Sequence, residues 1–295
     1  MLVTGASGLL GANFLQIAQR QQQKTIGVYH KHPIQLPNVT LLQADLTSGQ
    51  TTRELLATYR PTCIVHCAAL TNVDHCQTHP KDAYQVNVEM TYNLAVAAQK
   101  VGAHFVYIST DSVFGGQTGN YTETDETAPC NVYAQTKLEG ERVAQAETPE
   151  CLIIRTNIYG WNWQKKMSLA EWILSRLEAN QIIPGFKDVT FAPIFVNQLS
   201  LIILDMVKQD LRGIYHVCGS ETVSKYQFAH CLAKVFEKDD ALVRPTAVDS
   251  SQLTAPRPRH TALCTDKVTR ALNKHMPDVW SGLNEFKRLR NIAFQ

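Results

Sequence analysis

Short apolar runs alternate with longer, mixed segments through the first half of the chain. The runs MLVT, TIGVY, VTLLQAD, TCIVHCA, HFVYIST and CLIIRT have the near-continuous apolar character of strands that are buried on both faces. Between most of them lie segments with apolar residues at helical spacing, such as LLGANFLQIAQRQQQ and KDAYQVNVEMTYNLAVAAQKV. This alternation predicts an α/β fold with a doubly wound parallel sheet and helices on both faces.

The alternation of strands and helices becomes less regular after residue 157. The pattern there predicts a helix near residues 166–179, helices over NQLSLIILDMVK and SKYQFAHCLAKVFE, a strand over GIYHVCG and two short terminal helices. These are too few strands for an independent parallel sheet. We therefore expect a first domain over residues 1–157 and a smaller α/β C-terminal lobe over residues 158–295, interleaved with the first, with the ligand cleft between them.

Composition narrows the choice of partners and compartment. A net charge of +2 over 295 residues gives no reason to expect a nucleic-acid or membrane partner. No apolar run approaches the ~20 residues of a membrane span. Since the sequence opens in a predicted strand, we expect no signal peptide. Most of the eight cysteines lie in apolar runs, which favours free thiols in a reducing cytoplasm.

Two clusters have spacings found in metal sites: Cys63, His66 and Cys67, and then His75, Cys76 and His79. The first cluster lies along a predicted strand, so its side chains would point to opposite faces. Because a metal site needs ligands that converge on one point, we expect no metal.

A glycine-rich stretch, TGASGLLG, follows the first predicted strand and precedes a helix. Gly5, Gly8 and Gly11 would permit a tight turn, a close approach of the main chain to phosphate and close packing of helix on strand. A pyrophosphate would lie against the N-terminus of that helix. The motif and its position predict a Rossmann-type domain that binds NAD(P) over residues 1–157.

The second strand indicates which dinucleotide is preferred. An NAD site usually has an acidic residue about 20 residues after the glycines, but none occurs before Asp45. The strand ends instead in YHKHP, where His30 and Lys31 would face a 2′-phosphate. We expect NADPH to be preferred, with NADH as the alternative.

Tyr133 and Lys137 lie four residues apart in NVYAQTKLEGE, a spacing that places two side chains on one face of a helix. A free tyrosine has a pKa of ~10, and a lysine one turn away would lower it. Asn131 is positioned to cap the helix, whose positive end would act in the same direction. Ser109 and Thr110 add a hydroxyl at the end of the preceding strand, where ligands of parallel sheets bind.

Together, Gly-x-x-Gly-x-x-Gly, Ser-Thr-Asp and Tyr-x-x-x-Lys resemble the extended short-chain dehydrogenase/reductase superfamily. Within it, HCAALTNVDHCQ, ISTDSVFGG, NVYAQTKLEGE and RPRHTALCTDKV are similar to the dTDP-4-dehydrorhamnose reductases. The resemblance implies an NAD(P)H-dependent reductase of a 4-keto nucleotide sugar. Tyr133 would donate the proton, Thr110 would bind the carbonyl oxygen, and Lys137 would tune Tyr133 and hold the nicotinamide ribose. Strand alternation allows only one hydroxyl of the pair to face the cleft, so Ser109 is excluded.

Further site residues follow from matching positions. The predicted cofactor-binding residues are Gly5, Ser7, Gly8, Leu9, Leu10, Gly11, His30, Lys31, Asp45, Leu46, Ala69, Leu70, Thr71, Tyr133 and Lys137. The predicted substrate-binding residues are Thr71, Val73, Thr110, Asp111 and Ile158. Asn87 matches the helix asparagine that supports the site in this superfamily, and a satisfied core amide is the alternative.

The resemblance weakens on the substrate side. The family usually has a tryptophan where Ile158 lies, and Trp161 follows three residues later. The later Asp-Gln-x-x-x-Pro-Thr pattern is replaced by GFKDVTFAPIFV. Ser112 stands where sugar dehydratases have Glu, which disfavours a dehydratase. Two alternatives to the reductase stay open: a nucleotide-sugar epimerase, and a non-catalytic regulatory subunit resembling the β subunit of methionine adenosyltransferase. Helix pairs of this fold often form dimer interfaces, so the sequence is also compatible with a homodimer.

Overall fold

The computed structural model describes residues 1–248 and 253–290. Its strands are β1 (Leu2–Thr4), β2 (Ile26–Tyr29), β3 (Thr40–Gln43), β4 (Cys63–His66), β5 (His104–Thr110), β6 (Leu152–Thr156), β7 (Ile158–Tyr159), β8 (Ile183–Phe186), β9 (Thr190–Phe191), β10 (Ile194–Phe195), β11 (Gly213–His216), β12 (Val223–Ser224) and β13 (Val243–Thr246). Its α-helices are α1 (Leu9–Arg20), α2 (Gly49–Tyr59), α3 (Val73–Thr78), α4 (Pro80–Tyr84), α5 (Met90–Val101), α6 (Val132–Glu147), α7 (Leu169–Glu178), α8 (Val196–Lys208), α9 (Lys225–Val235), α10 (Asp266–Leu272) and α11 (Val279–Arg288).

Seven strands form one central sheet in the order β3-β2-β1-β4-β5-β6-β11. Every neighbouring pair in this sheet is parallel, and β1 lies between β2 and β4 with Leu2 opposite Ile26 and Ile64. The order reverses at β1, so the connections leave the sheet in both directions and cover both of its faces. The predicted Rossmann-type α/β fold is confirmed.

The central strands are apolar on both faces because helices cover both. All four residues of β4 and all five of β6 are buried. On one face, α1 packs against α8, and Phe14 and Ile203 belong to one hydrophobic cluster. On the other face, α2, α5 and α6 pack together, and Leu94 belongs to a second cluster. This arrangement leaves the strand ends as the open edge of the sheet.

The second half of the chain is interleaved with the first. Strand β11 extends the central sheet beside β6, and α8 covers α1. The remaining short strands form three separate pairs, β7 with β10, β8 with β13 and β9 with β12. Residues 249–252 and 291–295, which the predicted lobe includes, lie outside the described residues.

The predicted helix over residues 81–101 is interrupted. Helix α4 ends at Tyr84, a π-helical turn covers Gln85–Glu89, and α5 then begins at Met90. Such π-turns concentrate at functional sites. Asn87 lies in this π-helical turn, and its side-chain hydrogen bonds are described below.

Two further observations concern thiols and membranes. Each of the eight cysteines carries a free thiol. Over residues 1–248 and 253–290, no helix has both the length and the apolar character needed to cross a membrane.

Candidate active site

A cavity of about 1060 Å³ runs along the carboxyl edge of the central sheet. Its wall comes from the turns that follow β1, β2, β3, β4, β5 and β6, together with residues of the C-terminal half around positions 162–168. Of the predicted cofactor and substrate residues, all line this cavity except Val73, which begins α3 outside the lining. The structure thus assembles in one place residues that are far apart in sequence.

The glycine turn has the shape that a dinucleotide phosphate needs. Gly5 has a φ of +64°, and a Cβ there would lie 2.7 Å from the main-chain nitrogen of Ala68. A Cβ on Gly11 would overlap the carbonyl oxygen of Gly5. Gly8 precedes α1 without a side-chain cap, so the first N–H groups of that helix face the cavity. The residues present fit a pyrophosphate at this end.

The end of the cavity near β2 combines two histidines and a lysine with one carboxylate. His30, Lys31 and His32 line it, and His30 Nε2 lies 3.9 Å from Asp45 Oδ2. Hydrogen bonds from Thr47, then the nearby charges of His30 and Lys31, lower the pKa of Asp45. Asp45 is among the predicted cofactor-binding residues, but its proximity to His30 depends on the sheet, which brings it from the loop after β3.

Tyr133 lies in the first turn of α6, half-buried in the cavity wall. The predicted cap is present, because Asn131 Oδ1 accepts a hydrogen bond of 2.9 Å from the Ala134 N–H. Burial raises the pKa of Tyr133 above its ordinary value, and a hydrogen bond with the Thr110 hydroxyl opposes this rise. The phenol is therefore protonated at neutral pH.

Lys137 does not act on the phenol as the spacing suggested. Its Nζ donates a hydrogen bond of 2.7 Å to the Ile108 carbonyl oxygen and lies 4.0 Å from the centre of the Tyr107 ring. Burial lowers the pKa of Lys137 to about 7, against the opposing charge of Glu141. The expectation that Lys137 lowers the pKa of Tyr133 is thus not met, because burial raises that pKa and Lys137 is not among the groups that shift it.

Ser109 and Thr110 both line the cavity but have different hydrogen-bond partners. The Ser109 hydroxyl donates to Glu141 Oε1. Thr110 Oγ1 accepts a hydrogen bond of 3.2 Å from the Ser112 N–H. The expectation that strand alternation keeps Ser109 out of the cleft is not met, although its hydroxyl is engaged by Glu141.

Asp111 is a fully bonded carboxylate rather than an open contact. Its Oδ2 accepts hydrogen bonds from Asn157 Nδ2 at 2.7 Å and from the Thr261 hydroxyl at 2.6 Å. Its Oδ1 accepts from the hydroxyls of Thr110 and Ser112, both at 3.2 Å. The carboxylate therefore ties the end of β5 to the C-terminal half.

Asn87 holds the loop after β4 in place. Its Oδ1 accepts from the Leu70 N–H at 2.8 Å, and its Nδ2 donates to the Leu70 carbonyl oxygen at 3.2 Å. The same nitrogen donates to Thr136 Oγ1 at 3.0 Å, on the helix that carries Tyr133. Asn87 is both a satisfied core amide and a support for the cavity wall.

The tryptophan that follows Ile158 does not reach the cavity. Trp161 Nε1 donates to the Phe286 carbonyl oxygen at 2.8 Å, and the two rings stack with centroids 4.1 Å apart. Ile158 itself lines the cavity. An aliphatic side chain therefore occupies the position at which the family pattern has an aromatic one.

Sequence reasoning missed the loop between β7 and α7. Its cavity-lining residues are Asn162, Gln164, Lys166, Met167 and Ser168. Gln164 Nε2 donates to the carbonyl oxygen of Ser7 at 2.8 Å and to its hydroxyl at 3.0 Å. Lys166 Nζ donates to Thr71 Oγ1 at 2.9 Å. No periodicity or motif marks this loop in the sequence.

The histidines of the two histidine and cysteine clusters make hydrogen bonds or ring contacts within the fold. His66 lies between the hydroxyls of Thr4, at 2.7 Å, and Thr91, at 3.1 Å, and burial lowers its pKa to about 3. The rings of His75 and His79 stack 4.2 Å apart. In the described part of the chain, no three histidine, cysteine or acidic side chains are grouped closely enough to hold a metal ion.

A family model described as the RmlD substrate binding domain matches residues 1–289. The chain belongs to this family. A protein of Haloferax volcanii named probable low-salt glycan biosynthesis reductase is 30% identical over 279 residues, with 93% of each chain covered. Methionine adenosyltransferase 2 subunit beta of Bos taurus is 28% identical, with 100% of this chain and 91% of the relative covered.

Among solved structures, a dTDP-4-dehydrorhamnose reductase of Bacillus anthracis in complex with NADP superposes with a TM-score of 0.87. It is 27% identical, and the match covers 97% of this chain and 98% of that one. These matches confirm the predicted membership of the extended short-chain dehydrogenase/reductase superfamily and the prediction of an NAD(P)H-dependent oxidoreductase.

Proposed function

We propose that the protein reduces the keto group of a 4-keto nucleotide sugar with NADPH, as a dTDP-4-dehydrorhamnose reductase-like enzyme. One observation carries this proposal: Thr110, Tyr133 and Lys137 line the same cavity as the glycine turn. A cavity of about 1060 Å³ is large enough for a dinucleotide with a second ligand beside it. The named relatives with reductase activity support the same class of reaction.

Each role in such a reaction is assigned to residues of this chain. The glycine turn and the first turn of α1 would hold the pyrophosphate, and Lys137 the nicotinamide ribose. When bound, the cofactor supplies the hydride. The Thr110 hydroxyl, which donates to Asp111 Oδ1 in this structure, would turn its proton to the substrate carbonyl oxygen and fix the position of that oxygen. Tyr133, whose phenol is protonated at neutral pH, would pass its hydroxyl proton to that oxygen.

Replacing Tyr133 with phenylalanine tests this mechanism. Removal of a general acid lowers the rate by about 10²–10⁴-fold, so Tyr133→Phe should lose most turnover while retaining NADPH binding. Tyr92→Phe, an exposed tyrosine on α5, is the matched control. A Tyr133→Phe enzyme with unchanged kcat would remove the phenol from the chemistry.

The substrate is identified by screening 4-keto nucleotide sugars and following the absorbance of the reduced nicotinamide. A reductase oxidises one NADPH for each sugar reduced, whereas an epimerase consumes no net cofactor. Sugar conversion without loss of NADPH would therefore contradict the proposed reduction.

The proposed preference for NADPH rests on His30 and Lys31 at the β2 end of the cavity. Asp45 acts against it, since its carboxylate lies 3.9 Å from His30 and would repel a 2′-phosphate that came close. Titration with both cofactors decides. Tighter binding of NADPH than of NADH in the wild type, reversed in Lys31→Glu, would support the preference, and equal affinities would contradict it.

A second role, binding of a partner protein, is favoured by the full-length similarity to methionine adenosyltransferase 2 subunit beta. Affinity purification of the tagged chain from its own cells distinguishes the two roles. A stoichiometric partner, together with no turnover on any 4-keto nucleotide sugar, would favour a regulatory subunit.

Four further proposals concern the roles of the two halves, the compartment and the assembly. We propose that residues 1–157 hold the cofactor, that residues 158–295 supply the sugar side of the cavity, and that the protein works in the cytoplasm, where its free thiols stay reduced. Homodimer formation remains a proposal, which sedimentation analysis tests directly.

A further inference from the structure

The loop of residues 162–168, which we call the strap, crosses the cavity from one wall to the other. Its Gln164 side chain donates two hydrogen bonds to Ser7 in the glycine turn, at 2.8 and 3.0 Å. Two residues later, Lys166 Nζ donates to Thr71 Oγ1 in the loop after β4, at 2.9 Å. The strap is thus fixed at both walls by polar bonds.

The strap lies beside the place where a pyrophosphate fits. A pyrophosphate would lie at the start of α1, next to Ser7. Because two residues of extended chain span at most ~7 Å, the Cα of Lys166 lies within that distance of the Cα of Gln164, whose side chain contacts the glycine turn. Lys166 therefore lies on the same short loop as a residue that contacts the glycine turn.

The positively charged residues of the cavity lining bear on the ligand of Lys166. Three lysines line the cavity: Lys31 at its β2 end, Lys137 bonded to the Ile108 carbonyl oxygen, and Lys166. The described residues contribute no arginine to the lining. Lys166 is therefore the lysine of the lining that comes from the C-terminal half, and its Nζ donates to the neutral Thr71 hydroxyl.

We propose that Lys166 is a phosphate-binding residue, which exchanges its bond to Thr71 for an ion pair with a phosphoryl oxygen of the diphosphate bound in the cavity. A charge-assisted hydrogen bond of this kind is stronger than one to a neutral hydroxyl, which drives the exchange. The diphosphate belongs either to the dinucleotide or to the nucleotide sugar. This inference rests on the proposed function only in the choice of those ligands.

Two binding titrations on the full chain test the proposal. The first measures the Kd of NADPH by its fluorescence, and the second measures the Kd of thymidine diphosphate with the NADPH-saturated protein. Lys166→Met should weaken one of the two by about tenfold, equivalent to ~1.4 kcal/mol. Which Kd changes identifies the source of the phosphate. Lys166→Arg should retain most of the affinity, and the difference between wild type and Lys166→Met should shrink at high salt.

Lys165→Met is the matched control, since Lys165 is an exposed strap lysine outside the cavity lining. If both Kd values of Lys166→Met stay within twofold of wild type, or if Lys165→Met shows the same loss, the proposal is overturned. A wild-type protein that binds NADPH but reduces no sugar would contradict the proposed function, while the titrations would still decide the role of Lys166.

Discussion

The ion pair between Glu141 and Arg155 is buried behind the active site, with side chains 2% and 4% exposed. Arg155 Nη2 lies 2.7 Å from Glu141 Oε2, and its Nε bonds both carboxylate oxygens at 3.0 and 3.2 Å. The Ser109 hydroxyl donates to the same carboxylate. We predict that Glu141→Gln strongly destabilises the protein, because it leaves the guanidinium charge without a partner in the interior.

The magnitude follows from the burial of the pair. Removing one partner of a buried ion pair lowers the free energy of unfolding by about 3–5 kcal/mol. The exposed pair of Glu139 and Arg142 on the same helix, with side chains 42% and 65% exposed, provides the control. Glu139→Gln should change stability by less than ~1 kcal/mol.

Urea unfolding followed by circular dichroism measures both variants under identical conditions. The double variant Glu141→Leu/Arg155→Met should be less destabilised than Glu141→Gln alone, since it buries no unpaired charge. A loss in Glu141→Gln no larger than that in Glu139→Gln would refute the reasoning, because it would mean that Arg155 keeps its stabilisation without the carboxylate.

Three other predictions follow. Gly11→Ala should abolish NADPH binding and destabilise the fold, because its Cβ would overlap the carbonyl oxygen of Gly5. Gly102→Ala is the control: its main chain is strained, but its Cβ lies in open space, so binding should be retained. A Gly11→Ala protein that binds NADPH with the wild-type Kd would contradict this prediction. The pKa of Lys137 is about 7, so its ammonium is present below that pH and lost above it. The value of kcat should therefore fall as the pH rises through 7. A kcat profile that is flat from about pH 6 to 9 would exclude an essential ammonium. The pKa of His66 is about 3 in the folded protein, against ~6.5 in the unfolded chain. As the pH falls, the unfolded state therefore takes up the proton first, and the free energy of unfolding should fall by as much as ~5 kcal/mol between those pH values. His66→Gln should flatten this loss in acid unfolding curves, and an unchanged slope would contradict the prediction.

What the sequence determined by itself was local. Apolar runs set the strands of the central sheet, glycines set the turn after β1, and the spacing of Tyr133 and Lys137 set their common face on α6. These features depend on covalent spacing and on backbone conformation over a few residues, which any reader of the chain can follow.

What only the tertiary structure decided was the surroundings of those residues. Folding brings Asp45 from the end of β3 next to His30, turns Trp161 into the core against Phe286, and lays the strap lysine Lys166 across the cavity. It also decides protonation, since the ammonium of Lys137 bonds a main-chain oxygen in an interior that penalises charge. The physical reason is that contacts and desolvation depend on which distant segments pack together, and no spacing along the chain encodes that distance.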